Sequence, residues 1–222
     1  MYIVIAGGGL MGMNLMEKLI KNGHDVVIID KANDVCEFAY TEHGAITVCG
    51  NATNTKILIS AGIQKADVAI AMLRTDADNL AFILLTKHYN VSNRLVRMRD
   101  KDFEEPYKLA GATLIFDTVE TLTSQFVTAI EYPNIKSFMK ISKGDFNIFE
   151  IFISSNSIIA GKTIEEIAQM PQFPKNCMFI GVPKPDDDNI QVAKGQTKVF
   201  AETSVILSAK DSDFKKVIKF LS

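Results

Sequence analysis

Close to the start of the chain stands Gly7-Gly8-Gly9-Leu10-Met11-Gly12, which holds the spacing G-x-G-x-x-G at Gly7, Gly9 and Gly12. Residues of this kind can bind phosphate through the main chain. The run follows a strand pattern at 2–6 and opens a helical pattern at 10–21, the context in which the spacing reads as a dinucleotide fingerprint. Gly7 would allow the tight turn, Gly9 would let a pyrophosphate approach the backbone, and Gly12 would let the helix pack close to the strand. The helix start at Leu10 and Met11 would supply free N–H groups and a partial positive charge. Asp30 ends the second strand pattern, 18 residues after Gly12, and Lys31 follows it. A carboxylate there can accept both hydrogens of a ribose diol and would repel a 2′-phosphate. An unphosphorylated ribose, as in NAD or ADP, is therefore favoured over NADP.

Other chemistry is harder to find. His24, His43 and His88 are scattered, and the second half of the chain has no histidine. Cys36, Cys49 and Cys177 are odd in number, far apart and without a CxxC pair, so they read as reduced, partly buried thiols and not as a zinc site or a disulfide framework. Glu165, Glu166 and Asp186–Asp188 read as helix-start and turn residues. An acid–base apparatus for hydride transfer is not visible.

The elements that must position the glycine run alternate regularly. Apolar, Val/Ile-rich runs fall at 2–6, 26–29, 45–49, 68–72, 94–98 and 113–116, as strands buried on both faces do. Helical patterns lie between them near 10–21, 33–42, 54–60, 77–89 and 104–110. This predicts an α/β fold, a Rossmann-like doubly wound parallel sheet of six strands. A further helix at 118–131 carries Val119, Leu122, Phe126, Val127 and Ile130 on one face. It either packs on its own domain or reaches a second subunit or domain. After residue 140 the texture becomes that of a small α+β module. It has strands at 146–153, 177–182, 199–200 and 205–208, a turn at 183–189, a capping box at Thr163–Glu166 and a last helix at 212–221. The expected domains are 1–132 and 140–222, with a boundary near 133–145.

The 222 residues are 47% hydrophobic and 23% charged with a net charge of −2, which suits a globular protein with a sizeable core. The basic excess that a broad nucleic-acid surface needs is absent. No run approaches the roughly 18 apolar residues of a membrane helix. The first residues read directly as a strand and lack the basic start of a signal peptide. The expectation is a cytosolic protein that would serve a membrane only through a partner.

Several segments in sequence order resemble the RCK (KTN) regulators of potassium transport, in particular the Trk and Ktr cytoplasmic subunits. Gly23-His24-Asp25-Val26-Val27-Ile28-Ile29-Asp30 is similar to the family's G-H-D-V-V-V-I-D. Gly50-Asn51-Ala52-Thr53 resembles its G-D-A-T loop, and Ala61-Gly62-Ile63-Gln64-Lys65-Ala66-Asp67 its A-G-I-x-x-A-D. Asp76 and Asn79 match its D-x-x-N, and Arg97 matches the arginine of its fifth strand. The tail resembles its C-terminal ligand-sensing module. The resemblance implies an adenine nucleotide, NAD(H) or ADP/ATP, in the Rossmann cleft. The glycine turn would hold phosphates and Asp30 the ribose, and Asn51 and Ala52 would border the adenine. Lys31, Thr53, Leu73, Arg74, Asn79 and Arg97 complete the expected site. Leu10 stands where the family often has an arginine for terminal phosphates, which leans the expectation toward NAD(H) or ADP; Asn51 replaces its aspartate.

The resemblance also implies a regulatory subunit rather than an enzyme, with no metal site. It would work as a homodimer or higher ring on a membrane-embedded potassium channel or transporter, with 118–131 as the crossover helix. The tail would sense a second ligand near 177–182 or only dimerise. The competing readings are an NAD-dependent oxidoreductase and a soluble nucleotide or redox sensor acting on another protein.

Overall fold

The structure, a computed structural model, describes residues 1–141, 145–184 and 187–221. It divides into two compact units, Met1–Thr121 and Leu122–Ser222.

In the first unit, six strands form a parallel sheet: β1 (Tyr2–Ala6), β2 (Asp25–Asp30), β3 (Ile46–Cys49), β4 (Val68–Ala71), β5 (Asn93–Met98) and β6 (Leu114–Asp117). Their order is β3-β2-β1-β4-β5-β6, the doubly wound arrangement that reverses direction between β1 and β4. Residues alternate between the sheet's two faces. Ile3, Ile5, Val26 and Ile28 pack with Met16 and Ala39, from α1 (Leu10–Lys21) and α2 (Asn33–His43). Val4, Ala6, Val27 and Ile29 pack instead with Leu58, Phe82, Ile83 and Tyr107, from α3 (Thr55–Ser60), α4 (Asp76–His88) and α5 (Glu104–Ala110). Burial on both faces is why these strands read as unbroken apolar runs. The strand ends Ala6, Asp30 and Ala71 thereby meet at one edge, where the order reverses.

The helix α6 (Thr118–Glu131) begins with Asp117, whose carboxylate accepts from Glu120 N at 2.9 Å. Its apolar face is exposed, with Phe126 at 68% and Ile130 at 77%.

The second unit is an antiparallel sheet of β7 (Ile135–Ile141), β8 (Phe146–Ile153), β9 (Cys177–Lys184), β10 (Asp187–Val192) and β11 (Thr203–Lys210). Its order is β10-β9-β11-β8-β7. The last helix, α8 (Asp211–Leu221), buries Phe214, Val217, Ile218 and Leu221 in a core with Phe149, Ile151, Val205 and Leu207. The short helix α7 (Ile164–Ala168) starts at a capping box, in which Thr163 Oγ1 accepts from Glu166 N and the Glu166 carboxylate accepts from Thr163 N.

Three expectations change. The expected boundary near 133–145 lies instead inside α6, between Thr121 and Leu122, and Ile135–Ile141 is a strand paired with β8. Val199-Phe200 is not a strand. Lys198 makes one isolated bridge to Thr163, and Val199 is buried through bonds to Gly161 and Lys162. Of the turn expected at 183–189, residues 185 and 186 lie outside the described residues; β9 runs on to Lys184 and β10 begins at Asp187.

Candidate functional site

The edge where β1 and β4 diverge opens into a cleft of about 720 Å³, a size suited to one small ligand. Its floor is the glycine turn. Gly7 has φ +106, and a Cβ there would stand 2.5 Å from Met72 O. A Cβ on Gly12 would meet Gly7 O at 2.0 Å. No other residue type fits either position. At Gly9 the case differs: no protein atom lies within 4 Å of where its Cβ would stand, so its backbone faces the cleft directly. Gly9 is the N-cap of α1, makes no side-chain cap and precedes a first turn without acidic residues. The first N–H groups of α1, at Leu10, Met11 and Gly12, are thus left to bind an anion.

Asp30 faces this turn from the end of β2. Its Oδ2 accepts from Gly8 N at 2.7 Å and its Oδ1 from Ala32 N at 3.0 Å. An ionised carboxylate has about four acceptor positions, so two remain for a diol. Lys31, Gly50 and Ala52 line the same end of the cleft.

The opposite wall comes from the ends of β4 and β5. Leu73, Arg74, Arg97 and Arg99 line it. Arg97 Nη2 donates to Leu73 O at 2.8 Å, and Arg99 Nη1 donates to Arg74 O at 2.8 Å. The side chain of Asn79 is fully buried behind this wall. Its Oδ1 accepts from Leu73 N at 2.8 Å and its Nδ2 donates to Arg97 O at 3.2 Å. Asp76 is buried as well and accepts from Tyr107 Oη at 2.7 Å, Asp100 N at 3.0 Å and Arg99 N at 3.2 Å. Burial, and then the adjacent Asp76, push the Tyr107 phenol far above its ordinary value, so it stays a donor.

Eleven of the expected site residues therefore line one cleft: Gly7, Gly9, Leu10, Met11, Gly12, Asp30, Lys31, Ala52, Leu73, Arg74 and Arg97. Three do not. The side chain of Asn51 is turned onto its own loop, where Oδ1 accepts from Thr53 N and Thr53 Oγ1 at 3.1 and 2.9 Å, which occupies both residues locally. Asn79 supports the wall from behind. Gly50, Met72, Asp78 and Arg99 line the cleft without having been foreseen. Arg99 had a signal, since it follows the end of β5 directly, two residues after Arg97. The cation that Leu10 does not supply has counterparts across the cleft in Arg74 and Arg99, which removes the ground for setting ATP behind ADP.

The cysteine expectation changes at one pair. The fold brings Cys36 and Cys49 together, with Cα atoms 6.1 Å apart, a spacing that a disulfide can bridge. Their 13 residues of separation are one helix and one strand folded back against β2, which brings both ends to Asp30. Cys177 is free.

The sheet order, the glycine turn and the acidic end of β2 define a Rossmann-type nucleotide-binding domain. Residues 3–118 match the TrkA-N domain family, and the chain belongs to that family. It is 30% identical over 190 residues to a Trk system potassium uptake protein TrkA homolog of Methanothermobacter thermautotrophicus, covering 84% of this chain and 88% of that one. A protein of the same name from Pyrococcus abyssi is 27% identical, over all of this chain and 97% of its own length. The fold matches that of the GsuK channel bound to NAD, with a TM-score of 0.70 at 20% identity, over 100% of this chain and 39% of the channel. No helix among the described residues is long and apolar enough to cross a membrane.

Proposed function

We propose that the protein is a non-catalytic regulatory subunit of a potassium transport system, which binds an adenine nucleotide of unphosphorylated ribose in the cleft between α1 and β5. The nucleotide is NAD(H) or ADP/ATP. The observation that carries this is the pairing of Asp30, with acceptor positions still free, and the uncapped start of α1 across one cleft. Gly7, Gly9, Leu10, Met11 and Gly12 would hold the phosphates, Arg74, Arg97 and Arg99 would balance their charge, and Ala52 would border the base. The family membership and the NAD bound by a channel of the same fold support the reading.

Such a subunit acts from the cytoplasmic side on a membrane-embedded channel or transporter. It regulates by binding its ligand better in one arrangement of the assembly than in another, with couplings of about 1–3 kcal/mol. A homodimer is the unit we infer, and a higher ring is compatible with it. The exposed face of α6 supports this, as does an apolar groove of about 640 Å³ in the second unit lined by Leu122, Phe126, Phe138, Met139, Ile148 and Ile206. The second unit would serve dimerisation and the sensing of a second ligand.

Calorimetry tests the nucleotide role. NADH or ADP should bind the purified chain, and Asp30→Ala should weaken binding at least about tenfold, or about 1.4 kcal/mol. Equal affinity in the variant would remove Asp30 from the ribose site. Oxidation or reduction of NAD(H) with any substrate would replace the regulator by an enzyme.

A further inference from the structure

The Cys36–Cys49 pair lies against the wall built on Asp30. Cys49 is the residue paired with Asp30 in the β2–β3 ladder, and the next residue, Gly50, donates its N–H to Asp30 O at 2.8 Å. Cys36 comes from the first turn of α2, which leaves β2 only two residues after Asp30. Its Sγ lies 3.5 Å from that same Asp30 carbonyl, so as a thiol it donates there. The two sulfurs thus converge behind Asp30, and a bridge between them would tie the start of α2 to the strand that leads into Gly50 and Ala52. Cys36 is buried at 2% exposure, whereas Cys49 is exposed and open to a small oxidant. Cys49 does not line the nucleotide cleft. Cys177 stands apart in the other unit; burial pushes its thiol up to about 12, which keeps it protonated and slow to react.

We propose that Cys36 and Cys49 are a reversible oxidation site through which hydrogen peroxide tightens nucleotide binding, an inference that rests on the nucleotide reading above. The Cys49 thiolate attacks one peroxide oxygen, the O–O bond breaks, and the other oxygen leaves as water after taking a proton. Cys36 then attacks the sulfenic sulfur of Cys49 and gives up its proton. The S–O bond breaks, a second water leaves and the S–S bond forms. Two thiols have lost two electrons and two protons, and one peroxide has become two waters. Two molecules of a small thiol such as glutathione reverse the step by exchange, and are themselves oxidised to their disulfide. Such a pair is reduced in a reducing cytosol and closes under peroxide. The closed bridge fixes the segments on both sides of Asp30 in the arrangement that presents its carboxylate, so less ordering is left for the ligand to impose.

The test uses the full chain, reduced, desalted and treated with one equivalent of peroxide. Alkylation in denaturant should mark all three cysteines before treatment and only Cys177 afterwards, with a Cys36–Cys49 peptide by mass spectrometry and full recovery with glutathione. Three alkylated cysteines after treatment, or a bridge between chains, would overturn the oxidation site. The bridged form should bind ADP about threefold more tightly than the reduced form. Under the same peroxide, Cys49→Ser should keep its own reduced-state Kd. Equal Kd values for the two parent forms, or a peroxide response in Cys49→Ser, would overturn the modulation. If neither form binds ADP or NADH, the nucleotide reading falls and the modulation falls with it, while the alkylation count still decides the oxidation site.

Discussion

The two sheets close their faces in different ways. In the parallel sheet, β1, β2 and β4 are buried along nearly their whole length, because helices cover both sides. In the antiparallel sheet, β8 and β11 are fully buried only at every second residue, with α8 packed on one side. The first unit gathers its strand ends at a ligand cleft. The second leaves one side of its sheet open to association. Its open side carries Ile148 and Ile206, which line the groove with Phe126 and Met139.

The comparison can be broken most sharply at α6. Phe126 and Ile130 are large and exposed, an arrangement that a monomer bears poorly. Phe126→Asp should convert a dimeric parent into monomers or aggregates by light scattering, and a parent that is monomeric at micromolar concentration would end the argument. Within β11, adjacent residues test the alternation. Leu207 is fully buried, and Leu207→Ala should cost about 2–5 kcal/mol in urea unfolding. Ile206 lies on the open side, so Ile206→Ala should weaken association more than it weakens the fold. Similar unfolding costs would mean that both sides are core.

In the first unit, Asp76→Ala takes the carboxylate acceptor from Arg99 N, Asp100 N and the buried Tyr107 hydroxyl, which keeps only the Asp76 carbonyl. It should cost about 3 kcal/mol, with hydrogen exchange rising in α4 and α5 while β8 and β11 stay protected. Loosening spread over both units would deny them separate stabilities. The smallest effect is expected at the capping box. Thr163→Ala should cost about 1 kcal/mol. The bond from Thr163 N holds the Glu166 carboxyl below its usual value, so the stability it adds is present at neutral pH and is lost as pH falls through that lowered value. A thermal shift that is equal at neutral and strongly acidic pH would remove Glu166 from the cap.

The comparison also explains what was legible in the sequence. Burial on both faces writes an unbroken apolar run in β1, β2 and β4, and the regular alternation with helices placed the other three strands of the parallel sheet. The edge strands of the other sheet write almost nothing. β7 has Lys136, Ser137 and Lys140 exposed among its apolar residues, and the ladder from β10 to β9 slips between Asp187 and Ile190. An apolar pair, Val199-Phe200, imitates a strand, but its bonds run from Val199 to the loop at Gly161 and Lys162. In the cleft, the backbone-binding residues were readable because their chemistry is local. Side chains that arrive from the ends of other strands, such as Arg99, depend on register. The same holds for the sulfur pair, since the fold that brings Cys36 of α2 beside Cys49 of β3 leaves no mark in their spacing.

Asn79 carries a last consequence. Its amide bonds to Leu73 and Arg97 just past one strand and within another, spends both its donors there and is fully buried. The wall it fastens is assembled while the chain folds, so nothing on that side has to be built when a ligand arrives. The timing of capture then belongs to diffusion and charge. Arrival of a phosphorylated ligand at Arg74 and Arg99 should be fast and should slow as salt is added, instead of waiting on a loop.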